Sequence, residues 1–409
     1  MKFFFDRKAI FLIILISFII KIILSFYFSD QTLKNEWAIL VHNFKISGIL
    51  GLNVFESTFV ANPRFGDSGE QILPSVFMPP LYTYFLLFHE ILSPNNVSLI
   101  ILSQIILSTV SVYFFYKILI NYTNLKFSLF LSFIFSIFPL YVYSTLKISS
   151  ISTQVFLLII FFYFIFKYDL KPKLKNLILF SFTSGLLILM RGEFILFYFL
   201  TIFYFLILKK INLKSIILTL IISLLVVSPY LKRNYNYFDK ITLTKSFGYN
   251  LLKGNNPEFK IEGNLFFIED NFKREELKIL ADNKYEINLD NFYKNQALKF
   301  IFDDPFKYLK FYFIKVFAFI FFDYSSSYPN YFNILHILPK ITLSILSLCG
   351  AIIALKKKNI FQYLSIFYFT NIFLFSIFFI LPRYSLILLP IQLILLIPFV
   401  KILISKIRN

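Results

Sequence analysis

Long apolar runs, separated by short loops that carry Lys and Arg, dominate the sequence. An α-helix needs roughly 20 mainly apolar residues to cross the hydrocarbon core of a bilayer, which is about 30 Å thick. Runs near this length lie at 9–28, 77–92, 97–120, 127–146, 150–167, 177–190, 193–208, 213–229, 306–324, 333–354, 360–381 and 384–400. The pattern predicts an all-α polytopic membrane protein with about 10–12 transmembrane helices.

The composition excludes other classes of protein. Hydrophobic residues make up 58% of the chain and charged residues only 15%, whereas a soluble domain has about 45–50% and about 25%. A soluble globular protein and a disordered chain are therefore both excluded. The single cysteine, Cys349, leaves no disulfide framework and no cysteine-based zinc site.

The charges are unevenly distributed along the chain. Segments 29–76 and 230–305 contain 17 of the 22 acidic residues, and the remaining chain has five acids and 26 bases. Lys and Arg in short loops between apolar runs mark the cytoplasmic side. We therefore expect 29–76 and 230–305 to face the opposite side. The excess bases in the cytoplasmic loops account for the net charge of +19. This charge therefore does not predict nucleic acid as a partner.

Topology also constrains individual runs. The first run follows Lys2, Arg7 and Lys8 and lacks a small-residue cleavage site, so we expect a retained signal anchor. Keeping the basic loops on one side requires that some runs do not cross the membrane completely. Pro139 predicts a broken crossing, and 306–324 is expected to lie in the outer leaflet. The expected organisation is an N-terminal transmembrane catalytic module (1–229, including outer loop 29–76), an extracytoplasmic loop region (230–305) and C-terminal membrane helices (306–409).

The first outer segment contains a candidate catalytic acid. Residues 36–44 predict a short amphipathic helix with an apolar face at the membrane interface, where Trp37 is favoured. Glu36 begins this helix, close to lipid headgroups, and a carboxylate there could act as a general base toward a hydroxyl acceptor. The competing interpretation is a solvated acid that stabilises the helix N-terminus.

The second outer segment contains candidate anion-binding groups. Pro229 is expected to break a helix, which would place Lys232 and Arg233 at the outer headgroup level. A guanidinium group is well suited to phosphate oxygens, although an interfacial anchor is the simpler interpretation. Residues 248–257 predict a turn-rich polar loop.

Other polar groups are predicted near the same side of the membrane. Residues 271–283 and 286–301 predict two helices outside the membrane. Arg191 and Glu193 lie at a junction between two apolar runs, where they could form an ion pair or part of a buried phosphate or sugar site. The three His residues are scattered, and neither a His-Glu-x-x-His zinc motif nor a Gly-rich phosphate loop occurs.

A series of motifs gives a more specific indication. In order, they are Glu36-Trp37-Ala38 with Asn43, Pro79-Pro80-Leu81-Tyr82, Leu189-Met190-Arg191-Gly192-Glu193, Pro229-Tyr230 with Arg233-Asn234, Gly248 with Asn250 and Gly254-Asn255-Asn256-Pro257, Tyr293 with Asp304-Pro305 and Lys315, and Arg383-Tyr384. In this order they resemble the GT-C class of membrane glycosyltransferases, in the branch of the dolichyl-phosphate-mannose–protein mannosyltransferases (glycosyltransferase family 39 and its bacterial relatives). Relatives often carry a Glu near the position of Gln154, so the role of this glutamine is open.

The resemblance implies a GT-C-like helical bundle and a membrane glycosyltransferase. It would transfer a sugar, with inversion, from a polyprenyl-phosphate donor to a hydroxyl of a glycolipid, polysaccharide or protein on the extracytoplasmic side of the bacterial inner membrane. It further implies that Glu36 or Asp30 is the catalytic base, and it assigns other residues to donor-phosphate binding and to a substrate loop. The donor-phosphate groups would be Arg233, Arg191, Lys315 and Arg383, and the substrate-loop residues would be Asn234, Asn250, Asn255 and Glu193.

No cofactor is predicted, and dependence on a divalent metal stays open. The alternatives are a flippase for lipid-linked sugars, which would need no carboxylate base, a polysaccharide polymerase or ligase, and a catalytically inactive scaffold.

Overall fold

The computed structural model describes residues 2–55, 58–59, 71–276, 278–280 and 282–408. Three of the acidic residues in the first outer segment, Glu56, Asp67 and Glu70, lie outside the described residues. The described part is mostly helical. Its helices are α1 Lys2–Phe28, α2 Asn35–Ser47, α3 Pro80–Leu92, α4 Val97–Leu119, α5 Leu125–Ile137, α6 Pro139–Thr145, α7 Ile151–Leu170, α8 Leu174–Met190, α9 Phe194–Ile207, α10 Leu213–Phe238, α11 Phe247–Gly254, α12 Leu265–Glu276, α13 Tyr285–Asp303, α14 Pro305–Ile320, α15 Ile334–Leu355, α16 Ile360–Phe375 and α17 Leu389–Arg408, and a 3-10 helix, Pro382–Leu388, precedes α17.

The helices confirm the predicted polytopic membrane bundle. Among the described residues, six helices are long and apolar enough to cross a membrane, and the bent pair α5–α6 makes a seventh. Three shorter apolar helices, α8, α9 and α16, accompany them. The bend of 51° between α5 and α6 falls at Pro139, where we expected a broken crossing. Helix α14, in the run expected to stay in the outer leaflet, is not among the spans.

The apolar residues of the spans form one large core. Aromatic side chains fill much of it, and Phe162 on α7 packs against Phe367 on α16 with ring centroids 5.2 Å apart. Polar contacts then join helices across this core: the hydroxyl groups of Thr201 and Tyr363 lie 2.7 Å apart. Because an unpaired polar group inside a bilayer is costly, such pairs fix the register of neighbouring helices.

The first outer segment is not purely helical. Strands β1 Gly51–Phe55, β2 Thr58–Phe59 and β3 Gln71–Pro74 form an antiparallel sheet in the order β2-β1-β3. Leu52 pairs with Leu73 in this sheet. The prediction of an all-α chain did not include it, because the pairing joins residues that are distant in sequence.

Helix α2 forms where residues 36–44 predicted it, but its apolar face packs on protein. The side chains of Ile39, Leu40 and Val41 are buried, and the Trp37 ring lies edge-on to Tyr82 of α3, with centroids 4.9 Å apart. The expectation that this face lies at the membrane interface is therefore wrong, because α3 and the sheet cover it.

Three further local predictions are corrected. Helix α10 continues through Pro229 to Phe238, and the Ser228 hydroxyl donates to Leu225 O, the carbonyl that the proline leaves without an amide partner. A neighbouring serine is a common way for a membrane helix to tolerate proline. The predicted loop at 248–257 begins with helix α11, and the helix predicted at 271–283 is observed earlier, at Leu265–Glu276.

Candidate functional site

The candidate base Glu36 lies in the first turn of α2 and within electrostatic range of Lys253, which the charge of Arg383 also reaches. Burial lowers the pKa of Lys253 below its ordinary value, the Arg383 guanidinium lowers it further, and the Glu36 carboxylate raises it. Lys253 is the last basic residue of α11, and its Nζ lies 4.7 Å from the ring centroid of Phe379. The fold thus places one carboxylate and two cations together from three separate parts of the chain.

A cavity of 230 Å³ adjoins this cluster. Phe379, which lies under Lys253, and Tyr384, which follows Arg383, both line it. The other residues that line the cavity include Arg191, Glu193, Thr244, Ser246, Phe247, Asn250, Phe375 and Phe378. The cavity therefore combines an aromatic wall with a small number of charged and amide groups, as ligand sites commonly do.

Arg191 and Glu193 form the ion pair that the sequence suggested. Arg191 Nε lies 2.5 Å from Glu193 Oε1, and the guanidinium lies 5.1 Å from the ring centroid of Phe375 and 5.5 Å from that of Tyr384. Both charged side chains remain partly exposed, at 21% and 34%. The pair and the two rings therefore hold the guanidinium at the cavity wall, where it can still meet an anion.

Gln154 lies behind the Arg191–Glu193 pair. It lines a small cavity with both residues and with Asn371. Its Oε1 is buried and has no hydrogen-bond partner among the described residues. The structure thus places Gln154 next to the candidate site, and its role stays open.

The second candidate base, Asp30, is held by the segment between α6 and α7. Its Oδ2 accepts a hydrogen bond of 2.9 Å from the Ile148 amide, and its Oδ1 lies 3.3 Å from Lys147 Nζ. Its own amide donates to Leu146 O. Both carboxylate oxygens are therefore engaged within the protein.

Lys315 is buried, and its ammonium group faces protein oxygens. Nζ donates to Phe378 O at 2.7 Å, to Asn255 Oδ1 at 2.9 Å and, at longer range, to Gly254 O and Ile377 O. Asn255 also donates to Ile377 O. Together they tie the end of α11 to the segment after α16, which carries the aromatic wall of the cavity. The predicted phosphate role of Lys315 stays a prediction, and the partners shown are structural.

Arg233 and Asn234 contact the first outer segment and the loop that follows α10. The Arg233 guanidinium donates to Leu50 O at 2.7 Å, to Ser75 O at 2.8 Å and to Asn234 Oδ1 at 2.8 Å. Asn234 in turn donates to Thr242 O. These contacts hold Leu50 and Ser75, which flank the sheet of the first outer segment, against α10. The predicted roles of Arg233 and Asn234 toward substrate are not tested by this geometry.

Three charged groups were not singled out from the sequence. Lys253 lies directly before Gly254 in the motif at 248–257, and this position was the one sign in the sequence of a role at the site. Glu262 accepts hydrogen bonds from the hydroxyls of Ser326 and Ser327, a contact that no local pattern indicates. Glu286 is buried and accepts a 2.6 Å hydrogen bond from the Val76 amide.

Within the described ranges, no three His, Cys, Asp or Glu side chains group as a metal site requires.

Comparison with known proteins agrees with this architecture. Residues 78–232 match the family described as Dolichyl-phosphate-mannose-protein mannosyltransferase, and among curated proteins no sequence match is found. The fold is similar to that of the oligosaccharyltransferase of Archaeoglobus fulgidus in the apo form, with a TM-score of 0.57 and 12% identity over 97% of this chain and 51% of that one. It is also similar to the archaeal oligosaccharyltransferase AglB from Archaeoglobus fulgidus in complex with an inhibitory peptide and a dolichol-phosphate, with a TM-score of 0.55 and 11% identity over 98% of this chain and 51% of the other.

The chain thus spans about half the length of these solved structures. The resemblance to the GT-C class of membrane glycosyltransferases is confirmed. The family that matches residues 78–232 is that of the dolichyl-phosphate-mannose–protein mannosyltransferases, and the fold is similar to that of the solved oligosaccharyltransferase.

Proposed function

We propose that the protein is a membrane glycosyltransferase that transfers a sugar from a polyprenyl-phosphate donor to a hydroxyl acceptor, with inversion. The observation that carries this proposal is the cluster of Glu36, Lys253 and Arg383 beside an aromatic cavity. Such a reaction needs one base for the acceptor and positive charge for the departing phosphate. The cluster supplies both within one site.

The proposed reaction has a simple charge balance. Glu36 accepts the proton of the acceptor hydroxyl, and the resulting oxygen attacks the anomeric carbon from the face opposite the phosphate. The bond from carbon to the phosphate oxygen breaks, and polyprenyl phosphate leaves with the bonding electrons. Lys253 and Arg383 stabilise the negative charge of this leaving group, because preorganised cations act most strongly in a site with little water. Arg191, held by Glu193, lies at the same cavity and assists.

Glu36 is preferred over Asp30 as the base. Both oxygens of Asp30 already accept hydrogen bonds or ion-pair contacts from residues 147 and 148, so they are engaged in holding the chain rather than available to an acceptor hydroxyl. Asp30 therefore fits a positioning role, in which it holds the end of α1 near the segment between α6 and α7.

The expected donor and acceptor agree with the chemistry of the cavity. The similar archaeal oligosaccharyltransferase is described with a dolichol-phosphate and an inhibitory peptide bound, which supports a lipid phosphate as the donor class. Phe247, Phe375 and Phe378 provide an apolar wall for the first prenyl units. The acceptor is a glycolipid, a polysaccharide or a protein, and the site faces the extracytoplasmic side of the bacterial inner membrane.

The test is transfer of radiolabelled sugar from polyprenyl-phosphate sugars in membranes that carry wild-type protein or a variant. Glu36→Gln should abolish transfer at a normal protein level, and Lys253→Gln should lower it by at least tenfold. Glu275→Gln and Asp270→Asn, on exposed positions of α12, are matched controls and should leave transfer unchanged.

Two outcomes contradict the proposal. Full activity of Glu36→Gln would remove Glu36 as the base, and loss of activity in Asp30→Asn alone would assign the base to Asp30. No transfer by the wild-type protein with any polyprenyl-phosphate sugar would instead favour the flippase or scaffold interpretation.

A further inference from the structure

A large groove lies at the opposite, basic end of the bundle. It has a volume of 730 Å³ and opens between the start of α5 and the end of α17. Tyr122, one of its lining residues, packs against Phe166 at the end of α7 and Phe361 at the start of α16, with centroid distances of 5.0 and 5.5 Å. The groove therefore belongs to the end where the turns α4–α5, α7–α8 and α15–α16 meet.

Two exposed lysines and an apolar floor line the groove. Lys126 lies in the first turn of α5 and Lys401 near the end of α17, and both side chains are exposed. Below them lie Phe127, Phe130 and Ile404. Phe130 is 54% exposed and Ile404 45% exposed. The lysine pair therefore adjoins an apolar strip that continues onto the lipid-facing surface of the spans.

Basic residues predominate around the groove in the part of the chain that the structure describes. The neighbouring turns carry Lys171, Lys173, Lys175 and Lys356–Lys358. The nearby acid, Asp169, is paired with Lys210 at 2.5 Å, so it does not neutralise Lys126 or Lys401. A ligand of this groove must therefore be anionic at one end and apolar at the other.

We propose that the groove binds an anionic phospholipid from the leaflet at the basic end of the bundle. The phosphate contacts Lys126 and Lys401, and one acyl chain lies along Phe127, Phe130 and Ile404. Basic pockets between membrane helices recognise lipid headgroups in this way. Because the groove is remote from the Glu36 cluster, the proposal does not depend on the proposed enzymatic function.

The test is lipid binding by purified full-length protein in neutral detergent, followed by native mass spectrometry with phosphatidylglycerol and with phosphatidylcholine. Each lysine near an anionic lipid contributes roughly fivefold in affinity, so Lys126→Ala/Lys401→Ala should bind phosphatidylglycerol roughly 30-fold more weakly. Binding of phosphatidylcholine should change little. The matched control is Lys294→Ala/Lys299→Ala, which removes the same charge from exposed positions of α13, outside the groove, and should bind like the wild type.

A second measurement locates the lipid. A phosphatidylglycerol with a photoreactive diazirine in the acyl chain should label peptides from α5 and α17. Lys126→Arg/Lys401→Arg should keep this labelling, since guanidinium also binds phosphate. Retained labelling in this variant would show that the loss of labelling in the alanine variant is not caused by misfolding. Equal loss in both alanine pairs, or labelling that avoids α5 and α17, would overturn the proposal.

Discussion

Glu286 gives a prediction whose magnitude follows from its surroundings. It lies in the first turn of α13 and is only 7% exposed. Burial raises the pKa of Glu286 from 4.5 to about 7, while hydrogen bonds from Ser75 and Val76 and the charge of Arg233 act in the opposite direction. The proposed perturbation is Glu286→Gln, which keeps an oxygen to accept from the Val76 amide but cannot ionise.

The direction in which the free energy of unfolding changes with pH follows from the raised pKa of Glu286. The folded protein holds this proton more tightly than the unfolded chain, so its stabilising effect is complete below pH 4.5 and is lost as the pH rises through about 7. At about 1.4 kcal/mol per pH unit, the full effect is roughly 3 kcal/mol. The free energy of unfolding of the wild type should therefore fall between pH 5 and pH 8 by roughly 2–3 kcal/mol more than that of Glu286→Gln.

The assay is denaturant unfolding of purified protein in detergent micelles at pH 5, 6.5 and 8, followed by fluorescence. Glu275→Gln, the same change at an exposed position of α12, should keep the pH dependence of the wild type. If Glu286→Gln also kept it, the carboxyl group would be ionised in the folded protein throughout this range. That result would refute the argument from burial.

Three further predictions concern contacts that hold the fold together. Lys315→Met should lower the free energy of unfolding by about 2–4 kcal/mol, because it leaves buried oxygens such as Asn255 Oδ1 without a donor; a melting temperature like that of the wild type would contradict this. Gly350→Ala should destabilise by about 1–3 kcal/mol or more, since the new Cβ would lie 1.8 Å from Leu395 O, whereas Cys349→Ala in the same helix should have little effect in the same thermal assay. Arg233→Lys should lower stability and sugar transfer together, because one ammonium cannot replace the forked contacts of the guanidinium; a raised KM for the donor at unchanged stability would instead assign Arg233 to phosphate binding.

Much of the membrane bundle was predictable because helix length and apolar composition are local properties. The runs at 9–28, 97–120 and 150–167 became α1, α4 and α7. Pro139 also acted as expected, since it begins α6 at the 51° bend after α5. Pro229 did not break its helix, because the hydroxyl of Ser228 satisfies the carbonyl that Pro229 leaves open.

Other elements depend on partners elsewhere in the chain. Helix α11 forms in a segment rich in Gly and Asn because Leu251 and Leu252 are buried in a cluster with Tyr285 and Tyr293 of α13. Gly248 permits the close approach, since a Cβ there would lie 1.9 Å from Asp290 O. No pattern within residues 248–257 contains this information, so the segment was predicted as a loop.

Some residues of the candidate site could likewise be anticipated from the sequence, and others depended on the tertiary structure. Arg191 and Glu193 are near neighbours in sequence, so their ion pair could be anticipated, and Glu36 was identified from its position after the first span. Lys253 joined the site only through folding, which brings it within electrostatic range of Glu36 on α2 and of Arg383 in the 3-10 helix. Lys315 and Arg233, chosen for their charge, make contacts with protein oxygens in the structure.

The sequence by itself determined that the chain lies in a membrane, which ends of its helices are basic, and which carboxylates lie outside the spans. These properties depend on the transfer of local segments between water and lipid, a free energy that each segment carries with it. Only the tertiary structure decided which charges meet. Its helices bring Glu36 beside Lys253, bury Lys315 among carbonyl groups and leave Lys126 and Lys401 open at a groove, because the environment of a charge is set by every element packed around it.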